Sequence, residues 1–330
     1  MAKTDEFDPG NESAIKPTSI AQQMKLNRPV FLAAWPGMGN VGITALSYIK
    51  EKLGATLLAE ISPADYFAPT GAVISQQILQ APESPNNQFF YYKNPKKKND
   101  ILFFMGTSQP VSHMEYAFAK KILNFARGFD VEQVITFAAT PSDMDYKDTP
   151  RVFAVPNHKD LLETLLEYRV HFLKEGNIAG MNGLLVSVAA EMGLTGMTLL
   201  GEIPFFTAQI EFPRAAIAIV SVMSKILGIP VDLVDLELYA TRKEKEIAPL
   251  AALLTKEDES AKQQDSREEK IVPDSETKVP ESVRLIVEKM FRQAEYDDTY
   301  KSKMRLKEEL DKWGLFDEYL DRFLDLFKKS

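Results

Sequence analysis

At residues 34–42 the chain reads Ala34-Trp35-Pro36-Gly37-Met38-Gly39-Asn40-Val41-Gly42. The apolar run before it, residues 29–34, is typical of a buried strand, and residues 40–53 have helical periodicity. A G-x-G-x-x-G turn between a strand and a helix is typical of dinucleotide-binding folds, in which the backbone approaches a pyrophosphate. Glu60 ends the next predicted strand, where such folds place the acid that binds the ribose.

The segment after Glu60 departs from a dinucleotide-binding fold. A second helix and a third parallel strand should follow. Instead the sequence predicts a proline-containing loop and then a β-hairpin formed by residues 72–80 and 88–93, with its turn at residues 82–87. We therefore favour a tight turn that packs the first helix closely against the sheet. An anion-binding loop without NAD and an NAD site are the alternatives.

Strands and helices alternate along the rest of the chain, which predicts an α/β fold whose sheet contains parallel pairs and is covered by helices. We expect a flexible arm over residues 1–27 and an α/β core over residues 28–240. A charged helix and linker should occupy residues 241–280. Apolar residues at helical spacing predict a C-terminal helical extension over residues 281–330.

Composition excludes several classes of function. The chain has 330 residues, a formal net charge of −8, no cysteine and three histidines. Disulfides and sulfur-based metal sites are therefore excluded, and we expect no metal and no cofactor. An acidic chain has no positive field for nucleic acid, and the basic run at residues 96–98 reads as an exposed hairpin tip. The acidic N-terminus and the short apolar stretch 215–229 predict a cytoplasmic protein without membrane segments.

Several further segments carry a family resemblance together with residues 34–42. They are Asp65-Tyr66-Phe67, Gly106-Thr107-Ser108-Gln109-Pro110, Gly180-Met181-Asn182-Gly183-Leu184-Leu185, residues 196–204, Pro213-Arg214-Ala215-Ala216 and Leu227-Gly228-Ile229-Pro230-Val231-Asp232. In this order, over about residues 28–255, they resemble the archaeal and bacterial branch of the proteasome assembly chaperone 2 family.

That resemblance implies a three-layer α/β/α sandwich of the phosphorylase/hydrolase-like type, assembled into homo-oligomers. It does not imply phosphorylase activity. It also implies a binding or assembly protein rather than a conventional enzyme, because relatives assemble or bind proteasome α-subunits. Relatives often dock through a C-terminal hydrophobic-Tyr-x tail. This sequence ends Leu326-Phe327-Lys328-Lys329-Ser330, so docking by that route is not expected.

A site in such a fold should lie at the carboxyl ends of the strands. The loops expected there carry the ligand- or anion-binding candidates, which are Gly37, Gly39, Asn40, Gly42, Asp65, Ser108, Gln109, Asp143, Gly180 and Asn182. Backbone amides at two glycine-rich helix starts could bind a carboxylate or phosphate. The alternative function is therefore a small-molecule enzyme or binding protein for an anionic or nucleoside-like ligand. Ser108, His113 and Asp143 form the one hydrolytic triad that the sequence offers, and we do not expect it to act.

Overall fold

The structure is a computed structural model, and it describes residues 15–63, 66–68, 71–96, 98–262, 281–297 and 299–327. The strands in these residues are β1 (Ile15–Pro17), β2 (Val30–Ala34), β3 (Thr56–Ile61), β4 (Val73–Ser75), β5 (Ile78–Gln80), β6 (Asn87–Tyr92), β7 (Ile101–Gly106), β8 (Gln133–Ser142), β9 (Val152–Pro156), β10 (His171–Phe172) and β11 (Thr195–Pro204). The α-helices are α1 (Val41–Lys52), α2 (Glu115–Arg127), α3 (Leu161–Leu166), α4 (Met181–Glu191), α5 (Pro213–Leu227), α6 (Val234–Lys262), α7 (Glu281–Asp297), α8 (Tyr300–Lys312) and α9 (Phe316–Asp325).

A nine-stranded sheet organises the chain, with strand order β1-β3-β6-β7-β2-β8-β11-β9-β10. The central strands β7, β2, β8 and β11 are parallel to one another. The flanking strands β6 and β9 run antiparallel to the central ones. The carboxyl ends of four parallel strands therefore meet at one edge, as expected for a crevice in an open α/β sheet.

Strand β2 shows why helices cover both faces of the sheet. All five of its residues are buried, which is typical of a parallel strand packed on both sides. Phe31 and Ala33 pack in one apolar cluster with α2 and α4. Leu32 and Ala34 pack in the other, with α1 and α5. The three-layer α/β/α architecture predicted from the sequence is thus confirmed.

The prediction that residues 72–80 and 88–93 pair as a hairpin is wrong. Strands β4 and β5 pair with each other in a separate two-stranded sheet, while β6 joins the main sheet between β3 and β7. The reversal occurs at Gln76 and Gln77, whose φ angles are 49° and 65°. Two consecutive residues with positive φ form a tight turn whose twist matches that of the two strands of a hairpin. Glutamine is not typical of that turn, so the sequence does not predict it.

Two further segments differ from the sequence-based expectation. Residues 15–17 lie within the predicted flexible arm, yet they form the edge strand β1, antiparallel to β3. Helix α6 runs from Val234 to Lys262, so it crosses the predicted boundary at residue 240 between the core and the charged helix. The basic run at residues 96–98 lies in the reversal between β6 and β7, as predicted for a hairpin tip, although Lys97 is outside the described residues.

The predicted C-terminal extension is helical. Helices α7, α8 and α9 enclose an apolar cluster of their own, with Phe291, Leu310 and Phe323 at its centre, and Phe205 of the core enters it. Across the ranges that the structure describes, no helix has the length and apolar character needed to cross a membrane.

Candidate functional site

Three loops meet where the central strands end, as the sequence predicts. The backbone N–H of Trp35, just after β2, donates to Asn182 Oδ1 at 2.9 Å. Asn182 Nδ2 donates in return to the carbonyl of Trp35 at 3.2 Å. The carbonyl of Asn182 accepts from the hydroxyls of Thr136 and Thr198 on β8 and β11. Asn182 is buried, so one side chain joins the first glycine-rich turn to the start of α4.

Gln109 makes the second connection between these loops. Its Nε2 donates to the carbonyl of Pro36 at 2.8 Å, and its Oε1 accepts from the backbone N–H of Met181 at 3.0 Å. The side-chain amide of Gln109 therefore hydrogen-bonds a backbone carbonyl of the first turn and a backbone N–H at the start of α4. We call the group formed by Trp35, Pro36, Gln109, Met181 and Asn182 the loop junction.

The glycines of the G-x-G-x-x-G turn have structural reasons to be there. Gly39 has φ +59°, a left-handed conformation that glycine adopts without strain. A Cβ on Gly42 would lie 2.2 Å from the carbonyl oxygen of Phe137, so α1 approaches β8 at backbone distance. A Cβ on Gly37 would meet Asn182, and one on Gly180 would meet Gln109. Backbone conformation or close packing thus accounts for Gly39, Gly42 and Gly180, whereas a Cβ on Gly37 would make an ordinary contact at 3.6 Å.

The amides that an anion would use at the first turn are bonded within the protein. The N–H of Gly39 donates to the carbonyl of Ala208, and that of Asn40 donates to the carbonyl of Gly37. Val41, at the start of α1, donates to Met38. A ligand at this turn would have to displace internal hydrogen bonds, whereas a phosphate-binding loop presents free amides.

Asn40 belongs to a second polar group at the same end of the sheet. Its Nδ2 lies 3.5 Å from Glu211 Oε1. The hydroxyl of Tyr239 on α6 donates to the same carboxylate, and Lys243 Nζ is 3.4 Å from it. The hydrogen bond from Tyr239 is the main cause that lowers the pKa of Glu211; burial opposes it, and Lys243 and Asn40 lower it further. These contacts tie α6 to the first turn.

Ser108, His113 and Asp143 do not form a triad. The hydroxyl of Ser108 donates to the carbonyl of Gln109 at 3.4 Å, His113 is exposed, and Asp143 pairs with Lys307. Nucleophilic catalysis needs the serine within hydrogen-bond reach of its base. In the part of the chain that the structure describes, no hydrogen bond joins these three side chains.

A cavity of about 730 Å³ opens at the ends of β8 and β11. It is lined by Ser142, Asp143, Met144, Asp148, Thr149, Arg151, Glu202 and Phe205. Glu202 is buried and accepts from the backbone N–H of Arg151 at 3.1 Å and from its Nε at 2.8 Å. Burial raises the pKa of Glu202, but hydrogen bonds from Arg151 and Ser142 outweigh it and leave the pKa below its ordinary value.

Helix α8 contacts two of the lining residues, Asp143 and Phe205, through Lys307. Its Nζ lies 2.7 Å from Asp311 and 3.4 Å from Asp143. The same ammonium lies over the rings of Phe205 and Phe316, at 5.1 and 5.2 Å from the centroids. Burial lowers the pKa of Lys307, yet the two carboxylates more than compensate and raise it. Lys307 therefore connects the C-terminal helices to the cavity wall.

The ligand-binding candidates predicted from the sequence do not form one site: most lie at or next to the loop junction, and Asp143 lies at the cavity. Asp65 lies outside the described residues. Gly37, Gln109, Gly180 and Asn182 meet at the loop junction, with Gly39, Asn40 and Gly42 on the adjoining turn and Ser108 beside Gln109, whereas Asp143 lines the cavity. Sequence reasoning missed Arg151, Lys307 and the Tyr239–Lys243 pair. A single charged residue inside an apolar strand, as at Glu202, was the signal that could have found the cavity.

The model of the PAC2 family matches residues 31–251. The Pyrococcus furiosus protein PbaB, an archaeal proteasome activator, is 26% identical with a TM-score of 0.60, and the match covers 70% of this chain and 96% of PbaB. P. furiosus PbaA, an archaeal homolog of proteasome-assembly chaperone, is 26% identical with a TM-score of 0.54, over 69% of this chain and 94% of PbaA.

An uncharacterised protein of Methanocaldococcus jannaschii, MJ1210, is 23% identical over 222 residues, which are 67% of this chain and 82% of that protein. The family match runs from β2 through most of α6, and thus includes the main sheet except its edge strand β1, the loop junction and the cavity wall around Glu202. The resemblance drawn from the glycine-rich turns is confirmed. The chain belongs to the PAC2 family.

Proposed function

We propose that this chain is a chaperone-like binding protein whose partner is a proteasome particle or its unassembled α-subunits. The observation that carries the proposal is the match to PbaB, at 26% identity over 96% of that protein's length. PbaB is a proteasome activator and PbaA a homolog of proteasome-assembly chaperone. The α/β fold of this chain is thus shared with two proteins, PbaB and PbaA, whose described roles both concern the proteasome.

The geometry of the loop junction supports binding over catalysis. Asn182 and Gln109 use their amide groups on the backbone of neighbouring loops. Such mutually satisfied polar groups stiffen a surface, and they do not present an activated nucleophile or a general base to a substrate. A stiff loop surface is what a protein partner needs, because little conformational entropy is lost on binding.

The alternative, an anionic or nucleoside-like ligand, is less well supported at the cavity. Its walls carry the carboxylates of Asp143, Asp148 and Glu202. Arg151 is paired with Glu202, and Lys307 is paired with Asp143 and Asp311. An anion entering there would meet three like charges and would compete for cations that are already paired. We therefore place the function on a protein partner.

The test mixes the purified full-length chain with cognate proteasome α-subunits and, separately, with mature core particles. We expect co-elution with α-subunits on size exclusion, and native mass spectrometry should detect the joint complex. An unrelated acidic protein of similar mass is the control for charge-driven association. Faster cleavage of a fluorogenic peptide by the mature particle would assign the activator role instead of the assembly role.

Two results would overturn the proposal. One is the absence of any complex with α-subunits or core particles at micromolar concentrations. The other is saturable thermal stabilisation by inorganic phosphate or a nucleotide, lost in Arg151→Gln, in a chain that binds no proteasome subunit. The second result would move the function to the cavity.

A further inference from the structure

Two buried side chains near the carboxyl edge of the sheet stand out by their polar atoms. Trp35 is 0% exposed and Asn87 is 1% exposed. Among the residues that the structure describes, the indole Nε1 of Trp35 and both carboxamide atoms of Asn87 have no hydrogen-bond partner. Most buried side-chain polar atoms are paired, either with protein or with ordered water. These three atoms therefore point to a bound molecule.

The strand register places Asn87 opposite a glycine. Asn87 at the start of β6 faces Gly106 at the end of β7. The N–H of Thr107 donates to the carbonyl of Asn86 at 2.9 Å, so Asn87 and Gly106 form a non-hydrogen-bonded pair. In an antiparallel sheet this is the kind of pair whose side chains lie closer together. Because Gly106 has no side chain, the space opposite Asn87 is open to a neighbour.

The indole of Trp35 lies in that space. A Cβ on Gly106 would be 2.3 Å from Trp35 Nε1, so the indole N–H group lies over Gly106 on the face that Asn87 shares. Opposite residues of an antiparallel pair have Cβ atoms about 4.5–5.5 Å apart, which brings Nε1 to within about 8 Å of the Cβ of Asn87. The carboxamide extends from that Cβ, and one water with hydrogen bonds of about 2.9 Å on both sides bridges the remaining gap.

The hydrogen-bonding groups select a neutral molecule that both donates and accepts. The Nε1–H of Trp35 and the Nδ2 of Asn87 are donors, whereas the Oδ1 of Asn87 is an acceptor. A metal cation cannot accept from the two N–H groups, and an anion without a proton cannot donate to Oδ1. A water molecule can accept and donate, and buried waters typically make about three hydrogen bonds.

The surroundings also favour a neutral molecule. The ring of Phe104 is 5.2 Å from that of Trp35, and the ring of Phe89 is 4.8 Å from that of Phe104. Both phenylalanines and Trp35 belong to the same buried apolar cluster. Burying a charge among aromatic rings is costly unless the charge is paired, whereas a water that makes its hydrogen bonds is tolerated.

We propose that Trp35 Nε1 and the carboxamide of Asn87 bind one internal water molecule, which is a permanent part of the fold. Trp35 belongs to the loop junction, so this water connects β6 to the junction. The connection adds to the two bonds that Asn182 makes with the backbone of Trp35. This inference does not rest on the proposed proteasome partner, because the site needs only this chain.

The direct test is nuclear magnetic resonance of the full chain with ¹⁵N in its two tryptophan indoles. We expect cross-relaxation between a long-lived water and the Nε1–H of Trp35. The internal control is Trp313, whose Nε1–H donates to Glu309 Oε1 at 2.7 Å and should show no such signal. A Trp313→Phe sample assigns the two resonances. Absence of a long-lived water at Trp35 overturns the proposal.

A second test uses the sign of a stability change. Asn87→Leu keeps a similar shape but cannot bind the water, so we expect the equilibrium constant for folding to fall about tenfold in urea unfolding. The matched control is Asn86→Leu, at the exposed neighbouring position, which should leave that constant within about twofold of the wild type. A higher stability of Asn87→Leu overturns the proposal, because removing an amide that binds nothing relieves its burial.

The double variant tests the bridge itself. Trp35→Phe removes the indole N–H, so Asn87→Leu should have a smaller effect in that background than in the wild type. The same effect in both backgrounds overturns the bridge, because it means that Trp35 and Asn87 do not share one bound molecule. Circular dichroism checks that each variant is folded, and the resonance test on the wild-type chain is decisive where a variant is not.

Discussion

Asn182 and Trp35 are 147 residues apart in the chain, and the carboxamide of Asn182 satisfies both the N–H and the carbonyl of Trp35. The two groups lie where the G-x-G-x-x-G turn leaves the sheet, and Asn182 is buried beside them. Asn182 takes the place of a strand partner for Trp35, which comes directly after Ala34, the last residue of β2 that pairs with β7. The second glycine-rich segment thus supplies the side chain that satisfies the backbone of the first.

Replacing Asn182 should destabilise the whole α/β body. Asn182→Ala leaves a buried N–H and a buried carbonyl unpaired, which should lower the free energy of unfolding by about 2–4 kcal/mol. Urea unfolding followed by circular dichroism measures the change. Asn177→Ala, an exposed asparagine upstream of the same helix, is the control and should stay within about 0.5 kcal/mol of the wild type. Equal midpoints for the two variants would show that the bonds to Trp35 contribute little.

Gly42 tests whether the glycine-rich turn exists for packing. Gly42→Ala places a Cβ against the carbonyl of Phe137, so α1 must shift away from β8. We expect a loss of about 1–3 kcal/mol in the absence of any ligand. Gly71→Ala is the control, because its Cβ would meet nothing within 4 Å. Unchanged stability in Gly42→Ala, together with a lost response to phosphate, would instead favour the anion-binding alternative.

Local features of the fold were predictable from the sequence because neighbouring residues specify them. The apolar run at residues 29–34 predicts the strand before Trp35, and the helical periodicity of residues 40–53 predicts the helix after Gly39. The glycine-rich turn separates the two. The reversal at Gln76 and Gln77 was missed because it depends on two positive φ angles that glutamine adopts only when the flanking strands require it. Proline and asparagine at residues 82–87 gave a stronger local signal, and they mark the entry to β6 rather than a hairpin turn.

The candidate site was predictable only in part, and the reason is distance along the chain. Gln109 follows the parallel strand β7, and Met181 begins α4, which leads directly into the parallel strand β11. A helix that leads into such a strand begins at the carboxyl edge of the sheet, so the loop junction could be expected. Lys307 and Asp143 are 164 residues apart, in an extension and in a core loop. Their contact depends on how the C-terminal helices dock on Phe205, for which periodicity carries no information.

Glu202 makes the stability of the chain depend on pH. Its pKa is lowered in the folded state, so its contribution is complete above the unfolded value of about 4.3 and is lost as the pH falls through the folded pKa. Because the side chain of Arg151 is 54% exposed, Glu202→Gln should cost about 1–3 kcal/mol at pH 7, less than a fully buried pair. The difference from the wild type should shrink steadily below about pH 5.

Urea unfolding at a series of pH values between about 3 and 7 measures this dependence. The matched control is Glu132→Gln, which removes the exposed pair between Arg28 and Glu132. It should cost less than about 0.5 kcal/mol at every pH. A difference between Glu202→Gln and the wild type that does not change with pH would assign the loss to packing and not to the charge.

Lys307 should determine how firmly the C-terminal helices rest on the core. Lys307→Met keeps an aliphatic stem between Phe205 and Phe316 but removes the ammonium that contacts Asp143 and Asp311. Asp143 is mostly exposed, so the loss should be modest, about 1 kcal/mol. We expect it to act locally, with amide hydrogen exchange in α8 accelerated about fivefold and exchange in β2 unchanged.

Arg305→Met on the same helix is the control, because Arg305 is exposed and its replacement should leave the exchange of α8 as in the wild type. Equal acceleration in both variants would mean that loss of any positive charge loosens α8. Acceleration in β2 as well as in α8 would mean that the helices and the sheet unfold as one cooperative unit, and that Lys307 stabilises the whole chain and not the docking of its C-terminal part.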